Sequence, residues 1–287
     1  KSQILFPFYI PVISFLINDI LAKLPIFNFF CFINIFVLRP IQKSKNLDTY
    51  NVTIIVPCKN EEGNIKRIVD TVPAIGKKTQ ILFGDDKSTD NTLEEIKKYK
   101  SSSEKISIDY YEAPGVCKSE NVYMGFDKAE GDLIAILDAD NTVRAEELKD
   151  FFGLLATNRY DFINGTRFIY PMSSNAMKKI NFIGNILFSY LFKIFLGINI
   201  TDTLCGTKVF FKRDWKKIKR YNGSWGLKDK WGDYDLLLGA KKNFLKIGEK
   251  PVFYEDRISG ETKMTNVFSN AFRMMIIIIY SFFKIKK

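Results

Sequence analysis

Leu133-Ile134-Ala135-Ile136-Leu137-Asp138-Ala139-Asp140 is the stretch that decides the fold. Five apolar residues without alternation read as a strand covered on both faces, as in a parallel sheet. Two acids, one residue apart, close it. The same pattern appears on either side. Val52–Val56 is β-branched and runs into Pro57-Cys58-Lys59-Asn60-Glu61. Gln80–Phe83 ends in Asp85-Asp86, and Ile106–Tyr111 makes a third strand. Phe162–Asn164 starts another, followed by Gly165-Thr166-Arg167. Helical stretches fall between them, at about 64–72, from 88–92 onward, over 119–129 and over 145–157. Thr92 and Glu95 have the spacing of a capping box. Strands alternating with helices make parallel βαβ units, hence an α/β class. Ligands of such sheets bind beyond the carboxyl ends of the strands. Asp85, Asp86, Asp138 and Asp140 all gather there.

The 287 residues suffice for one large domain or a domain with an appendage. Apolar residues are 46% and charged residues 26%, which excludes a disordered chain. Histidine is absent, so metal sites and nucleophile pairs built on histidine are excluded. Acid–base work falls to carboxylates, Lys, Tyr or Cys. The net charge of +11 suits phosphate-bearing substrates, nucleic acid or an anionic membrane. Nucleic acid fits poorly, because the basic residues accompany Phe/Ile-rich runs instead of an exposed aromatic platform. The four cysteines form no CxxC, which favours a reducing compartment. There is no GxGxxG, and Gly76-Lys77-Lys78-Thr79 lacks the first glycine of a phosphate loop.

Singly, each strand-end motif has a bland reading. Asp138-Ala139-Asp140 matches a solvated loop as well as a chelate for a hard divalent cation shared with substrate phosphates. Asp85-Asp86 is a turn with a helix cap, or a pair of acceptors for base N–H and ribose hydroxyls. Arg167, Arg257 and Lys263 are basic loops, or clamps for phosphate. Asp233 and Asp235 sit where acids favour a helix N-terminus, or where a general base would stand. Acids in register at several strand ends, with returning cations, are more specific than any one motif.

At this point the chain resembles glycosyltransferase family 2, from about Val52 to Lys263, and especially its dolichyl- and polyprenyl-phosphate sugar transferases. The matching pieces are VPCKNEEGNI (56–65), GDDKSTDNT (84–92), ILDAD (136–140), GTR (165–167) and DRISGETK (256–263). TDTLCGTKVF (201–210) and GDYDLLLGA (232–240) resemble a bacterial subgroup. The resemblance implies a GT-A fold, a mostly parallel sheet flanked by helices. It implies that Pro57, Lys59, Glu61, Asp85 or Asp86 hold the nucleotide of a nucleotide-diphosphate sugar. Asp138, Ala139 and Asp140 would bind donor and metal, Mg²⁺ or Mn²⁺, through Asp138 and Asp140. Arg167, Arg257 and Lys263 would contact diphosphate or acceptor phosphate. The catalytic set would be Asp140, Asp233 and Asp235, with Asp233 as base for a hydroxyl acceptor and no base needed for a lipid phosphate. Three departures are Lys59 for a usual aromatic, Lys208 for a usual Arg, and Arg144 near a usual Pro. QxxRW is absent, so polymer synthesis is not expected.

The expected organisation is a hydrophobic membrane-associated segment or linker over 1–45, a transferase domain over 46–263, and a C-terminal interface helix over 264–287. Residues 2–18 and 24–38 carry no charge; each is too short for a span of ~20 residues, though a hairpin through the membrane is an option. Asn181, Asn185, Ser189 and Lys193 recur every fourth residue and read as a polar stripe on a helix over 173–199, either a buried core helix or an interface helix, with the acid-free lysines favouring the interface. Met274–Phe283 is a ten-residue apolar run closed by lysines. Together these imply a peripheral or monotopic protein at the cytoplasmic face of a membrane, with an upstream domain missing or fused before Lys1.

Overall fold

A computed structural model describes residues 2–285, apart from 35, 39, 41, 173–176, 178 and 257–265. Arg257, Lys263 and the start of the 173–199 segment lie outside the described residues. Seven strands make one sheet: β1 Asn51–Cys58, β2 Lys78–Asp85, β3 Ile106–Glu112, β4 Leu133–Ile136, β5 Phe162–Thr166, β6 Lys208–Phe211 and β7 Ile247–Pro251. Their order is β7-β5-β6-β4-β1-β2-β3, with the two-residue strand Ser101–Ser102 antiparallel on the edge of β3. Only β6 breaks the parallel run among the seven, pairing antiparallel with both β4 and β5. The expected α/β sheet is therefore present, with β6 and β7 added. Neither strand was foreseen. KVFF is too short to show a period, and IGEKP is a polar edge ending in proline, which edge strands tolerate.

The helices are α1 Glu62–Thr71, α2 Thr92–Tyr99, α3 Lys118–Lys128, α4 Leu148–Ala156, α5 Lys179–Leu191, α6 Lys212–Lys219, α7 Asp233–Lys242 and α8 Val267–Ile285. Strand residues alternate between two cores. Val52, Ile54 and Val56 meet α1 and α4 on one face; Ile55, Ile134, Ile136 and Phe210 meet α3, α6 and α7 on the other. That is why the strands read as unbroken apolar runs. On the second face Phe126 packs edge-on to Phe210 and Trp215, at 5.1 and 4.7 Å between ring centroids. Full burial of each such ring contributes about 1.5–3 kcal/mol.

One local expectation is corrected. Thr92 does not cap α2 in a box with Glu95, since Asn91 holds the cap position without a side-chain hydrogen bond. Instead the Thr92 hydroxyl donates to Asp90 and accepts from the backbone N–H of Glu61 at 2.8 Å, tying the loop after β1 to the start of α2. The polar stripe of α5 turns toward the protein at Asn185. Asn185 faces inward, 2% exposed, while Ile183, Ile186, Leu187 and Tyr190 face out. Its amide donates to Asp202 Oδ1 (2.6 Å) and accepts from Thr203 N–H (3.0 Å) and hydroxyl (2.9 Å). The helix is polar toward the protein at Asn185 and apolar toward its surroundings.

The helical run Lys179–Leu196 and helix Val267–Ile285 are both long and apolar enough to cross a membrane. The second is nearly twice the length of its apolar run. The two pack together, with Phe195 edge-on to Phe282 at 5.8 Å. Among the described residues of 1–45 the helical turns are short, spanning 15–23 and Pro25–Asn28, and none is long enough to cross a membrane. Phe8, Tyr9, Phe29, Phe30 and Phe32 are exposed there.

Candidate active site

The carboxyl ends of β1, β2 and β4 open into one cavity of about 370 Å³. Its wall includes Pro57, Cys58, Lys59 and Glu61 after β1, Asp86 after β2, Asp138-Ala139-Asp140 after β4, and Lys118 and Asn121 from α3. Lys230 and Trp231, from the loop before α7, complete it. Each of the three strand ends turns out through a left-handed residue: Asn60 (φ 54°), Lys87 (φ 55°) and Asn141 (φ 54°). Asparagine accepts that conformation readily; lysine does so less often.

The polar groups of the cavity are held in place. Glu61 is buried and its Oε2 accepts from Asn64 at 2.8 Å. Asp86 accepts from Gly115 N–H at 2.8 Å, and its other oxygen lies 3.7 Å from Lys59 Nζ. Asp140 Oδ1 accepts from the N–H and hydroxyl of Thr142, at 3.2 and 2.8 Å. Asp138 Oδ1 pairs with Lys118 Nζ at 2.5 Å. Burial works against the Lys118 ammonium, but Asp138, Asp233 and Asp140 outweigh it and raise its pKa above the ordinary lysine value. Close approaches fix two of these groups. A Cβ on Gly206 would fall 2.1 Å from Asp138 Oδ2, and one on Gly84 would fall 2.1 Å from Asn121 Oδ1.

The remaining candidates are placed elsewhere. Asp85 is not part of the cavity wall. One oxygen accepts from Ser88 N–H at 3.2 Å and the other is buried without a hydrogen-bond partner. Arg167 does not reach the cavity wall either. Its guanidinium forms a fork with buried Asp202 at 2.6 and 2.8 Å and lies over the Tyr254 ring at 5.1 Å. Burial alone would raise the Asp202 pKa, but Arg167 outweighs it and holds the carboxyl below its usual range. Asp233 is 6% exposed and pairs with fully buried Lys208 at 2.5 Å. Asp235 projects to the other side of α7. It accepts from the Tyr123 hydroxyl at 3.0 Å and lines a second cavity of about 570 Å³ with Glu120, Asp127 and Asn222. Desolvation, with Asp229 adding to it, pushes its pKa up to about 7.

Sequence reasoning missed Lys118, Asn121, Lys230 and Trp231. Lys118 and Asn121 stand three apart on the first turn of α3 and so share one face. That spacing, directly after a strand, was the available signal. Two carboxylates are a hard-oxygen donor set that fits a divalent cation keeping the rest of its shell for substrate phosphates. Among the described residues, no cluster of three metal-ligating side chains occurs.

Residues 53–219, more than half of the chain, match the sequence profile of glycosyl transferase family 2. The chain belongs to that family. It is 26% identical over 218 residues to the low-salt glycan biosynthesis hexosyltransferase Agl6 of Haloferax volcanii, a match covering 74% of this chain and 49% of that protein. It therefore spans about half the length of that relative. It is 24% identical to the UDP-N-acetylglucosamine–dolichyl-phosphate N-acetylglucosaminyltransferase of Methanococcus voltae, covering 70% of this chain and 84% of that protein. In fold it is similar to glucosyl-3-phosphoglycerate synthase from Mycobacterium tuberculosis in complex with UDP, at TM-score 0.57 and 12% identity over 81% of this chain and 80% of the other. These likenesses show the GT-A fold.

Proposed function

We propose that this family 2 glycosyltransferase moves one sugar from a nucleotide-diphosphate donor to a lipid (polyprenyl) phosphate, with inversion, at the cytoplasmic face of a membrane. The observation that carries the reading is the single cavity holding Glu61, Asp86, Asp138 and Asp140 at adjacent strand ends. Its support from relatives is that several are named for dolichyl- or undecaprenyl-phosphate transfer. The outward Ile and Leu residues of α5, with Phe268 and Phe272 of α8, are suited to an apolar interface.

In this mechanism Pro57 and Glu61 flank the base and ribose, and Asp86 accepts their N–H or O–H groups while Lys59 balances its charge. Asp138 and Asp140 would hold Mg²⁺ or Mn²⁺, which when bound would neutralise charge on the leaving diphosphate. Lys118 adds a second cation there. The acceptor phosphate oxygen attacks the anomeric carbon as the bond to the diphosphate breaks, and one displacement inverts the centre. That oxygen is already anionic, so no protein base is required. The engagement of Asp233 by Lys208 and the turning away of Asp235 favour this acceptor over a hydroxyl. In the hydroxyl reading, Asp233 would take the proton.

The test is a donor screen. Purified protein is mixed with UDP- and GDP-sugars, Mg²⁺ or Mn²⁺, and polyprenyl phosphate, and nucleoside diphosphate release is followed. Release that requires one donor, the metal and the lipid phosphate is the expected result. Release driven by a hydroxyl acceptor, and lost in Asp233→Asn, would replace this reading with its alternative.

A further inference from the structure

Lys118 is a basic group in ion-pair contact with the carboxylate pair. It opens α3, and its Nζ lies 2.5 Å from Asp138 Oδ1, with both side chains 31% exposed and so in contact with the cavity. Asp140 and Asp233 are close enough to act on it as well. Three acids thus surround one ammonium at the point where the proposed donor site would take a cation. Gly206 presses against the other oxygen of Asp138, so the carboxylate has little room to turn away. Buried Lys208 neutralises Asp233 from behind. Lys118 is therefore a cation that balances Asp138 on the cavity side.

We propose that Lys118 is a resident countercation that competes with the divalent metal for Asp138, and that it transfers to the donor diphosphate when metal and donor bind together. The inference rests on the reading of Asp138 and Asp140 as the metal-binding pair. Two cations cannot share one carboxylate oxygen at ion-pair distance without mutual repulsion. Metal alone must displace the ammonium, whereas a diphosphate arriving with the metal offers it a new anionic partner. Free metal should consequently bind weakly, and nucleotide should strengthen that binding.

The test measures Mn²⁺ binding to the purified full chain by the electron paramagnetic resonance signal of free Mn²⁺, with and without UDP. Lys118→Met should bind free Mn²⁺ about ten-fold tighter than the unaltered protein or more, the size of effect a charge at this distance has on proton affinity. It should also bind UDP more weakly when no metal is present. Lys118→Arg should keep the original Mn²⁺ affinity, and Lys118→Gln, which retains a polar head, should match Lys118→Met. Equal or weaker Mn²⁺ binding in both neutral variants would overturn the proposal. Absence of Mn²⁺ binding in every form, with UDP present, would overturn it together with the metal reading. Binding in all forms that Asp138→Asn leaves untouched would remove Asp138 from the metal site and leave the nucleotide assignments standing.

Discussion

The pairs Lys118–Asp138 and Arg167–Asp202 both stand at carboxyl ends of the central sheet, and they behave as opposites. Asp202 is fully buried and accepts from both arms of Arg167, from Asn185 and from the N–H of Leu204. Its lone pairs are used up inside the protein, and the pair joins β5 to α5 as a strut. Lys118 meets Asp138 at 2.5 Å, one-third exposed on each side, at the wall of a cavity. A basic residue at a strand end can serve a substrate only if no buried acid has claimed it first. By that criterion we propose Arg167 as a structural strut and Lys118 as a cation open to chemistry.

Breaking each pair separately should divide the two roles. The largest effect is expected for Asp138→Asn, which should lower turnover by about 10²–10³-fold, the usual loss when a group stabilising transition-state charge is removed. Its melting temperature should stay close to that of the unaltered protein, because Lys118 retains access to water. A steady-state assay paired with thermal melting checks both halves, and an active variant would remove Asp138 from the site. Next comes Arg167→Met, which strands the Asp202 carboxylate in the interior. A loss of about 3–5 kcal/mol in stability is expected, measured by urea unfolding. At temperatures where it remains folded, the KM for donor should be unchanged. A raised donor KM with intact stability would return Arg167 to the phosphate site.

The smallest effect sharpens the same contrast within one helix. Asp233 and Asp235 start α7 two residues apart, about 200° around the helix axis. One meets buried Lys208, and the other meets Tyr123 at a second cavity. The Asp235 carboxyl titrates near 7, above its ordinary value of 3.8. The folded state therefore holds its proton more tightly than the unfolded chain. This contribution to stability is complete in acid, below about pH 4, and is lost as pH rises through about 7. Melting temperatures collected between pH 5 and 8 should fall less steeply with pH in Asp235→Asn than in the unaltered protein. Parallel curves would mean that Asp235 is already ionised in the folded state.

Much of the site was legible because it follows from sheet geometry. Acids directly after the apolar runs at 80–83 and 133–137 had to emerge at the same edge of a parallel sheet, and Asp86, Asp138 and Asp140 do. What escaped was partner choice. Arg167 and Asp202 are 35 residues apart, and nothing local to either predicts the fork. The spacing of Asn181, Asn185, Ser189 and Lys193 does describe one helix face, but spacing cannot say which way that face looks. Asn185 turns inward because Asp202 and Thr203 offer it buried hydrogen bonds, which its amide would otherwise lack away from water.

The sequence by itself determined the alternation of strands and helices, the α/β class, and the edge of the sheet at which the acids collect. These depend on hydrophobic period and on chain direction, both properties of neighbours along the chain. Only the tertiary structure decided which cation meets which carboxylate, which way α5 faces, and that Asp235 lines a second cavity while Asp233 pairs with Lys208. Those outcomes depend on desolvation, because a buried charge or amide must take whatever complementary group the fold brings within hydrogen-bond reach, and sequence separation has no bearing on that distance.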